Sequence, residues 1–296
     1  MPTNFRSQLS FVAGQIETAL EAQLPKPEGE HAVVAEAMRY AALGGGKRLR
    51  PFLVVETARM LGGDIENALI VGCALECLHV YSLVHDDLPC MDDDDLRRGK
   101  PTVHKAYDEA IAVLAGDGLL THAFAMLGCE GAHADPLVRA KLVCELAQKS
   151  GVSGMIGGQV IDITVSETDR DEALITRLQA MKTGALIDFA VKAGGIVSGA
   201  DDATLNALSD YARDMGLAFQ IQDDILDVEG DATLMGKAVG KDENLGKATF
   251  VSLLGLEEAK EKAKALGERA KGHLAPFGEK AQTLKETVDF VLQRQH

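Results

Sequence analysis

Apolar residues recur three or four positions apart along almost the whole chain, and this period constrains the fold more than any other feature. Strand-type alternation over five or more residues is hard to find. Because a period of three to four residues places apolar side chains on one face of an α-helix, the pattern predicts an all-α protein. The predicted helices number about ten and span residues 3–23, 30–43, 51–62, 65–88, 104–129, 136–151, 171–197, 203–227, 249–272 and 278–294.

The connections between these helices are short and marked by glycine or proline, for example at Gly62-Gly63. None resembles an interdomain linker, so we predict a single domain over residues 1–296. Two helices, around residues 68–84 and 205–228, are apolar around most of their circumference, which is typical of the centre of a bundle. Each ends in an acidic cluster, so we expect two buried helices that present carboxylates to a shared deep cavity.

The composition excludes several classes of protein. The formal net charge is −15 and no long run of Lys and Arg is present, which argues against a nucleic-acid surface. The five cysteines form no Cys-x-x-Cys pair, which favours a reducing cytoplasm over a disulfide framework. The sequence has no uninterrupted apolar run of about 18 residues and no signal-peptide pattern at its start, so we expect no stable membrane insertion.

The first acidic motif contains six aspartates and two arginines in the segment HDDLPCMDDDDLRRG, which begins at His85. Since the motif directly follows a helix predicted to be buried, its charges need cations or other partners. Asp86 and Asp92 would lie on different faces of an ideal helix. Pro89 cannot continue the helical hydrogen bonds, however, so we expect the chain to leave the helix near Leu88 and to bring Asp92 back beside Asp86. A solvated, charged loop is the alternative.

The second acidic motif is Asp223, Asp224 and Asp227, inside an apolar segment. Asp223 and Asp227 lie one helical turn apart, so their side chains point the same way. Three carboxylates on one buried face would repel one another, and a divalent cation removes that cost. Carboxylate oxygens without His or Cys favour Mg²⁺, which keeps several waters and bridges to substrate phosphates.

Cations and polar groups suited to an anion site accompany these motifs. The turn Gly44–Gly46 is followed by Lys47 and Arg50, and it is not a P-loop because no strand precedes it and no Ser or Thr follows the lysine. Taken singly, each lysine is more often a surface residue. His79 lies on the same helix face as the first acidic motif, with a satisfied core histidine as the alternative. Further candidates are Arg97, Arg98, Lys182, Thr183, Gln220, Lys237 and Lys247.

These residues together resemble the trans-isoprenyl diphosphate synthase family, in particular its bacterial farnesyl diphosphate synthase type. The resemblance covers nearly the whole chain, and one departure is visible after Lys247, where Thr249 is followed by Phe250-Val251 and relatives commonly have Tyr-Pro. The matching segments are GGGKRLRP at 44–51, HDDLPCMDDDDLRRGKPTVH at 85–104, Lys182-Thr183, FQIQDDILD at 219–227 and the Gly-Lys pairs at 236–237 and 246–247.

The resemblance implies an all-α bundle of the isoprenoid synthase type around a deep central cavity, and a homodimer. It also implies an enzyme that joins isopentenyl diphosphate to dimethylallyl or geranyl diphosphate, giving farnesyl diphosphate. The implied cofactor is Mg²⁺, with three ions per active site and Mn²⁺ as a substitute. The metal ligands that the resemblance implies are Asp86, Asp87, Asp92, Asp223 and Asp227.

The resemblance also assigns roles to the remaining candidates. It places isopentenyl diphosphate on Lys47, Arg50, His79 and Arg98. It places the allylic diphosphate and the reacting centre on Arg97, Lys182, Thr183, Gln220, Lys237 and Lys247, and it includes Asp224 among the catalytic residues. An aromatic residue five positions before the first motif resembles the farnesyl type, so Tyr81, with Ser82 beside it, is expected to set the length of the product.

Four other functions stay open at this point. A geranylgeranyl diphosphate synthase shares nearly every motif, and only Tyr81 and its surroundings speak against it. A metal-dependent phosphohydrolase would leave the second acidic motif without a role. A class I terpene cyclase would carry an Asn/Ser/Glu metal motif on the second side, which is absent. A non-catalytic prenyl synthase subunit would typically lack one aspartate motif, whereas both are complete here.

Overall fold

The structure is a computed structural model, and it describes residues 4–166, 171–229 and 249–293. Contacts between residues divide the chain into two compact units, Met1–Val143 and Cys144–His296. Helices dominate both units, and within the described ranges the strands are limited to one short hairpin. The all-α prediction is therefore confirmed, while the single-domain prediction stays a prediction.

The first unit consists of helices and the hairpin, in the order in which the chain forms them. Their bounds are α1 Phe5–Gln23, α2 Ala32–Ala42, α3 Leu49–Leu61, α4 Ile65–Asp86, β1 Leu96–Arg97, β2 Lys100–Pro101, α5 Val103–Ala106, α6 Glu109–Gly128 and α7 Pro136–Ser150, which contains the boundary between the units.

Helix α4 is the core helix of the first unit, as its apolar sequence predicts. Its first turn is capped by Asp64, whose carboxylate accepts the backbone N–H of Glu66 at 2.8 Å and of Asn67 at 3.2 Å. At Gly72 an added Cβ would lie 3.2 Å from side-chain carbons of both Ile16 and Pro51, so α1 and α3 pack closely against it. By length and composition α4 and α6 would each suit a membrane span, but 72% of the apolar window of α4 is buried inside the protein.

Helices are the only regular elements among the described residues of the second unit. Its elements are α8 Met155–Thr164, α9 Glu172–Gln179, a π-helical turn Ala180–Gly184, α10 Ala185–Val197, α11 Asp202–Glu229, α12 Phe250–Leu254, α13 Leu256–His273, a 3₁₀-helix Ala275–Ala281 and α14 Gln282–Gln293.

Helix α11 is fixed to α13 and α14 by buried polar groups. The Tyr211 hydroxyl donates to the carbonyl oxygen of Leu284 at 2.9 Å. The carboxylate of Asp214, 1% exposed, accepts from Arg269 at 2.6 and 2.7 Å and from His273 at 2.9 Å. Burial opposes ionisation of Asp214, but the bonds from Arg269 and His273 hold its pKa below the usual value. These contacts stabilise the helix that carries the second acidic motif.

Two predicted helices are interrupted in the structure. The predicted helix 104–129 is broken before α6, because the Asp108 carboxylate caps α6 by accepting the N–H of Ile111 at 2.8 Å. The predicted helix 249–272 is broken at Gly255, whose φ of 82° lies in the left-handed region that favours glycine. In both places periodicity continues across the break, so the pattern alone could not reveal it.

Helix α8, Met155–Thr164, is absent from the sequence-based prediction, which was wrong here. Its glycines and β-branched residues have low intrinsic helix propensity. Packing explains both the helix and the glycines, since an added Cβ at Gly158 would lie 2.3 Å from the backbone nitrogen of Lys182. Tertiary contact therefore overrides the local preference.

Candidate active site

The loop after α4 brings the first acidic motif together. The helix ends at Asp86, two residues before the predicted exit, and Met91 N–H donates to the Leu88 carbonyl at 2.9 Å. The N–H of Asp92 then donates to the carbonyl oxygen of Asp86 at 2.9 Å. The predicted return of Asp92 to Asp86 is confirmed.

Asp87 and Arg97 form a pair at the base of this loop. Asp87 is 3% exposed, and its Oδ1 accepts from the Arg97 Nε at 3.0 Å and from a terminal nitrogen of the same guanidinium. Burial raises the pKa of Asp87, although Arg97 opposes that rise. Arg97 lies on the hairpin β1–β2, whose turn residues Arg98 and Gly99 have φ of 54° and 76°. A two-residue hairpin turn with both φ values positive suits the twist of its strands.

The same hairpin turn carries Arg98 to the glycine-rich turn before α3. A terminal nitrogen of Arg98 donates to the carbonyl oxygen of Gly45. At Gly46 the φ of 132° favours glycine, and an added Cβ would lie 2.7 Å from that guanidinium. Lys47 follows this turn and is exposed. The bond from Arg98 to Gly45 therefore brings together two predicted anion-binding segments of the first unit, the glycine-rich turn and the first acidic motif with its arginines.

Arg50 and His79 form a second contact in this region. A terminal nitrogen of Arg50 lies 3.3 Å from His79 Nε2. Burial and then the charge of Arg50, with Arg98 and two further arginines, hold the pKa of His79 well below its usual value. The imidazole is therefore neutral at physiological pH and can accept a hydrogen bond from the guanidinium or donate one to an anion.

His79 predicts a pH dependence of stability in the ligand-free protein. Because the pKa of His79 is depressed in the folded protein, its neutral imidazole makes its full contribution to protein stability above about pH 6.5. This contribution is lost as the pH falls from there towards the folded pKa. We expect urea unfolding to show this loss in the wild type and a smaller loss in His79→Asn. His31→Asn, at an exposed position, serves as the control with the wild-type slope. Equal slopes in all three proteins would contradict the prediction.

Arg48 anchors the glycine-rich turn from inside the protein, a role that the sequence analysis missed. Its side chain is fully buried and donates to the Ala42 carbonyl at 2.6 Å, to Glu17 at 2.8 Å and to Glu76. Its φ of 50° is uncommon for a residue with a side chain. These bonds hold the turn on α1, α2 and α4, and Glu76 lies one helical turn from His79.

The two residues expected to set product length lie on α4 just before the acidic motif. Tyr81 is 6% exposed, and burial raises the pKa of its phenol, with a smaller contribution from Asp86. The Ser82 hydroxyl donates to the His79 carbonyl at 2.8 Å, so its polar group is satisfied by its own helix.

The second acidic motif lies in the last turns of α11, where Asp223 and Asp227 are one helical turn apart, as predicted. Asp223 is exposed and Asp227 is half-buried, whereas Asp224 is 7% exposed. The Oδ2 of Asp224 accepts the backbone N–H of Phe250 at 2.8 Å, and this bond ties the start of α12 to α11. Gln220, one turn before Asp224, is half-buried on the same helix.

Lys182 and Thr183 lie in the π-helical turn Ala180–Gly184. Such turns are rare and occur frequently at functional sites. The Lys182 ammonium donates to Asp162 Oδ2 at 2.6 Å, and Asp162 lies on the helix that the sequence analysis missed. The Gly157-Gly158 pair before this acid was the available signal, because adjacent glycines in an apolar segment indicate close packing.

Two predicted site residues, Lys237 and Lys247, lie outside the described residues.

The acidic motifs supply carboxylate oxygens, which are ligands that magnesium prefers. Among residues 4–166, 171–229 and 249–293, no three His, Cys, Asp or Glu side chains converge closely enough to hold an ion by themselves. Magnesium is usually held by one or two carboxylates together with waters and substrate phosphates. Each unit offers carboxylates of this type, Asp86 and Asp92 in the first and Asp223 and Asp227 in the second.

Comparison with known proteins identifies the family. The model of the family described as polyprenyl synthetase matches residues 31–288. The chain belongs to the polyprenyl synthetase family. The prediction of an enzyme that transfers prenyl groups is therefore confirmed, together with the predicted family.

Individual members of the polyprenyl synthetase family match this chain along nearly its whole length. A farnesyl diphosphate synthase of Escherichia coli is 43% identical over 296 residues, covering 98% of this chain and 99% of the relative. A chloroplastic geranylgeranyl pyrophosphate synthase of Capsicum annuum is 42% identical, covering 99% of this chain and 79% of the relative. The crystal structure of an FPP/GFPP synthase from Zymomonas mobilis has a TM-score of 0.89 and 49% identity, covering 99% of this chain and 100% of that one.

Proposed function

We propose that this polyprenyl synthetase condenses isopentenyl diphosphate with dimethylallyl or geranyl diphosphate to give farnesyl diphosphate and diphosphate. The observation that carries the proposal is the bond from Asp92 N–H to the Asp86 carbonyl, because it gathers carboxylates beside the hairpin that carries Arg97 and Arg98. The similarity to the Escherichia coli farnesyl diphosphate synthase supports the C15 product. The similarity to the Capsicum annuum enzyme favours a second candidate, geranylgeranyl diphosphate.

The cationic residues of the first unit are proposed to bind isopentenyl diphosphate. Arg98 reaches the glycine-rich turn, and Arg50 lies 3.3 Å from His79. Lys47 is exposed and lies between that turn and Arg50 in the sequence. Arginines offer bidentate bonds to phosphate oxygens, and a neutral His79 adds a donor without further charge repulsion. We therefore assign Lys47, Arg50, His79 and Arg98 to this diphosphate.

The allylic diphosphate is assigned to a different set of residues. Arg97 is held by Asp87 and Lys182 by Asp162, so each cation is already oriented before substrate binds. Thr183 lies beside Lys182 in the π-helical turn, and the carbonyl dipole of Gln220 would face positive charge on the reacting carbon. The proposed residues are Arg97, Lys182, Thr183, Gln220, Lys237 and Lys247. We further propose that residues 1–296 form one catalytic domain.

Magnesium is the proposed cofactor, with three ions per active site and Mn²⁺ as a substitute. Asp86, Asp92, Asp223 and Asp227 would supply most of the protein oxygens, with Asp87 as a further ligand that also holds Arg97. When bound, the ions supply positive charge that stabilises the diphosphate as it leaves. Asp224 would act through its bond to Phe250, which keeps α11 and α12 together beside the site.

The proposed reaction breaks the allylic C–O bond, and the bonding electrons leave with the diphosphate. The π electrons of isopentenyl diphosphate form the new C–C bond to the allylic cation, and a proton is then lost to the departing diphosphate. Arg97 and Lys182 bind the leaving group throughout, and apolar walls exclude the water that would otherwise capture the cation. The five cysteines are free, which supports a reducing, cytoplasmic location.

The test is an incubation of the purified protein with isopentenyl diphosphate and either dimethylallyl or geranyl diphosphate, with and without Mg²⁺. Mass spectrometry after dephosphorylation identifies the prenyl chain. A magnesium-dependent C15 alcohol from both starters is the expected result. A C20 or C25 chain would retain prenyl transfer and overturn the C15 product, whereas released phosphate without condensation would overturn the proposal.

Tyr81→Ala is expected to lengthen the product. Tyr81 is buried on α4 about 7.5 Å along the helix axis from Asp86, at ~1.5 Å per residue, so its ring would block a growing chain beyond C15. The same mass-spectrometric assay should show C20 and longer alcohols at the expense of C15. An unchanged distribution would mean that another residue closes the pocket.

We propose a homodimer, with the exposed face of α6 as its contact surface. Val113 and Leu114 are 40% and 50% exposed on this face. Leu114→Glu is expected to convert the dimer to a monomer in light scattering after size exclusion. Leu253→Glu, at a 40% exposed leucine on α12, is the matched control and should stay dimeric. A wild-type monomer, or a dimeric Leu114→Glu protein, would contradict this surface.

A further inference from the structure

Helices α4 and α6 are in contact at His85 and Gly116. An added Cβ at Gly116 would lie 2.1 Å from His85 Nε2, far inside van der Waals contact. The same Nε2 lies 3.1 Å from the carbonyl oxygen of Val113, one turn earlier on α6. Because a carbonyl oxygen can only accept, Nε2 carries the proton and donates it. The imidazole therefore packs against α6 at Gly116 and is held there by a hydrogen bond.

The other side of the same imidazole contacts Tyr81. The two ring centroids lie 5.6 Å apart at an interplanar angle of 88°, which is an edge-to-face arrangement. Tyr81 and His85 lie one helical turn apart on α4, so their side chains share a face. His85 thus lies between the ring of Tyr81 and the backbone of α6, and the absence of a side chain at Gly116 allows it to fit there.

We propose that His85 and Gly116 are positioning residues for product length, because they hold the Tyr81 ring in place from the α6 side. The inference rests on the proposed function, in which Tyr81 closes the pocket for the growing prenyl chain. It adds a second helix to that closure: α4 supplies the aromatic ring, and α6 determines where the ring lies. Residues on α6 that never touch the substrate then influence the length of the prenyl chain.

Substitutions at His85 and at Gly116 are expected to change the length of the prenyl product in opposite directions. His85→Gln keeps an amide donor for Val113 but removes the aromatic support, and His85→Ala removes both. Each should let the Tyr81 ring move and raise the ratio of C20 to C15 product by roughly two- to tenfold, the range that an aromatic pair supplies. Gly116→Ala pushes the imidazole away from α6 and towards Tyr81, so it should narrow the pocket and raise the share of C10 product.

The experiment measures product ratios by mass spectrometry for the full-length wild type, His85→Gln, His85→Ala and Gly116→Ala, with Tyr81→Ala in parallel. Ratios are used because a partly unfolded variant makes less product without changing the lengths that folded molecules make. Gly14→Ala on α1 is the matched control, since an added Cβ there has no atom within 4 Å. It should give the wild-type ratio. If Gly116→Ala does not fold, the two His85 variants decide the question.

The outcomes separate the inference from the proposed function. Longer products from both His85 variants, with a wild-type ratio in Gly14→Ala, support the inference. Longer products from Tyr81→Ala alone overturn it and leave the proposed function intact. Unchanged ratios in Tyr81→Ala and both His85 variants overturn the inference together with the role of Tyr81, while prenyl transfer stands. A wild type that forms no condensation product overturns the proposed function itself, and the inference with it.

Discussion

Asp223→Asn should lower kcat by roughly a hundred- to a thousandfold, the size of effect seen when one group that stabilises developing charge is removed. Asparagine keeps the shape of the side chain but removes the negative charge that we propose holds Mg²⁺. Asp223 is exposed on α11, so the substitution should leave the free energy of unfolding nearly unchanged. Initial rates of condensation at saturating substrates, measured over a series of Mg²⁺ concentrations, check the prediction.

Asp210→Asn is the matched control for this experiment. Asp210 lies on the same helix and pairs with Arg213 at 2.8 Å, three residues away, where an exposed ion pair contributes little to stability. It should retain wild-type kcat and the wild-type dependence on Mg²⁺. An Asp223→Asn enzyme within about twofold of the control, at every Mg²⁺ concentration, would remove Asp223 from the proposed metal site.

Arg48→Met is expected to lower the free energy of unfolding by about 3–5 kcal/mol, the usual cost of removing one partner from a buried ion pair. The substitution leaves Glu76, which is 2% exposed, without its cation, and the carbonyl of Ala42 without its donor. It also leaves methionine in the left-handed conformation that Arg48 now adopts. Urea unfolding followed by circular dichroism measures the loss.

Two further variants show whether the buried charge is the cause. Arg6→Met changes an exposed arginine on α1 and should stay within about 0.5 kcal/mol of the wild type. The double variant Arg48→Met with Glu76→Gln removes both buried charges and should recover part of the lost stability. If the double variant is no more stable than Arg48→Met alone, the loss comes from packing and backbone strain, and the ion pair is not its source.

Short-range features of the fold and site could be predicted from the sequence. The burial of α4 followed from its apolar composition, because a helix without a polar face must lie in a core. The return of Asp92 to Asp86 followed from Pro89, which cannot donate to a continuing helix. The common direction of Asp223 and Asp227 followed from helical geometry alone.

Features that depend on contacts between distant parts of the chain could not be predicted in this way. Arg48 binds Glu76 across 28 positions and Lys182 binds Asp162 across 20, and no periodicity encodes either partner. The hairpin at Arg97 was missed for a different reason, since two strands of two residues each are too short to show alternation. The acidic motifs indicated the position of the candidate site in the sequence. The groups that orient the cationic side chains, such as Asp162 for Lys182, are known only from the structure.

The π-helical turn at Ala180–Gly184 lies within the long helical segment from α9 to α10. Its length determines the direction in which the side chains of α10 point around the helix axis. One residue more or less rotates the following residues by about 100° around the helix axis, since a helical turn holds 3.6 residues. Before the turn, Ile175 and Leu178 pack inward, and after it Asp188 meets Lys149 at 2.5 Å. Deleting one residue here would leave the composition of the segment almost unchanged. It would, however, rotate either the inward-packing residues before the turn away from the core or Asp188 after it away from Lys149. Apart from Lys182 and Thr183, which we assign to the allylic diphosphate, this stretch should therefore tolerate substitutions far better than changes of length.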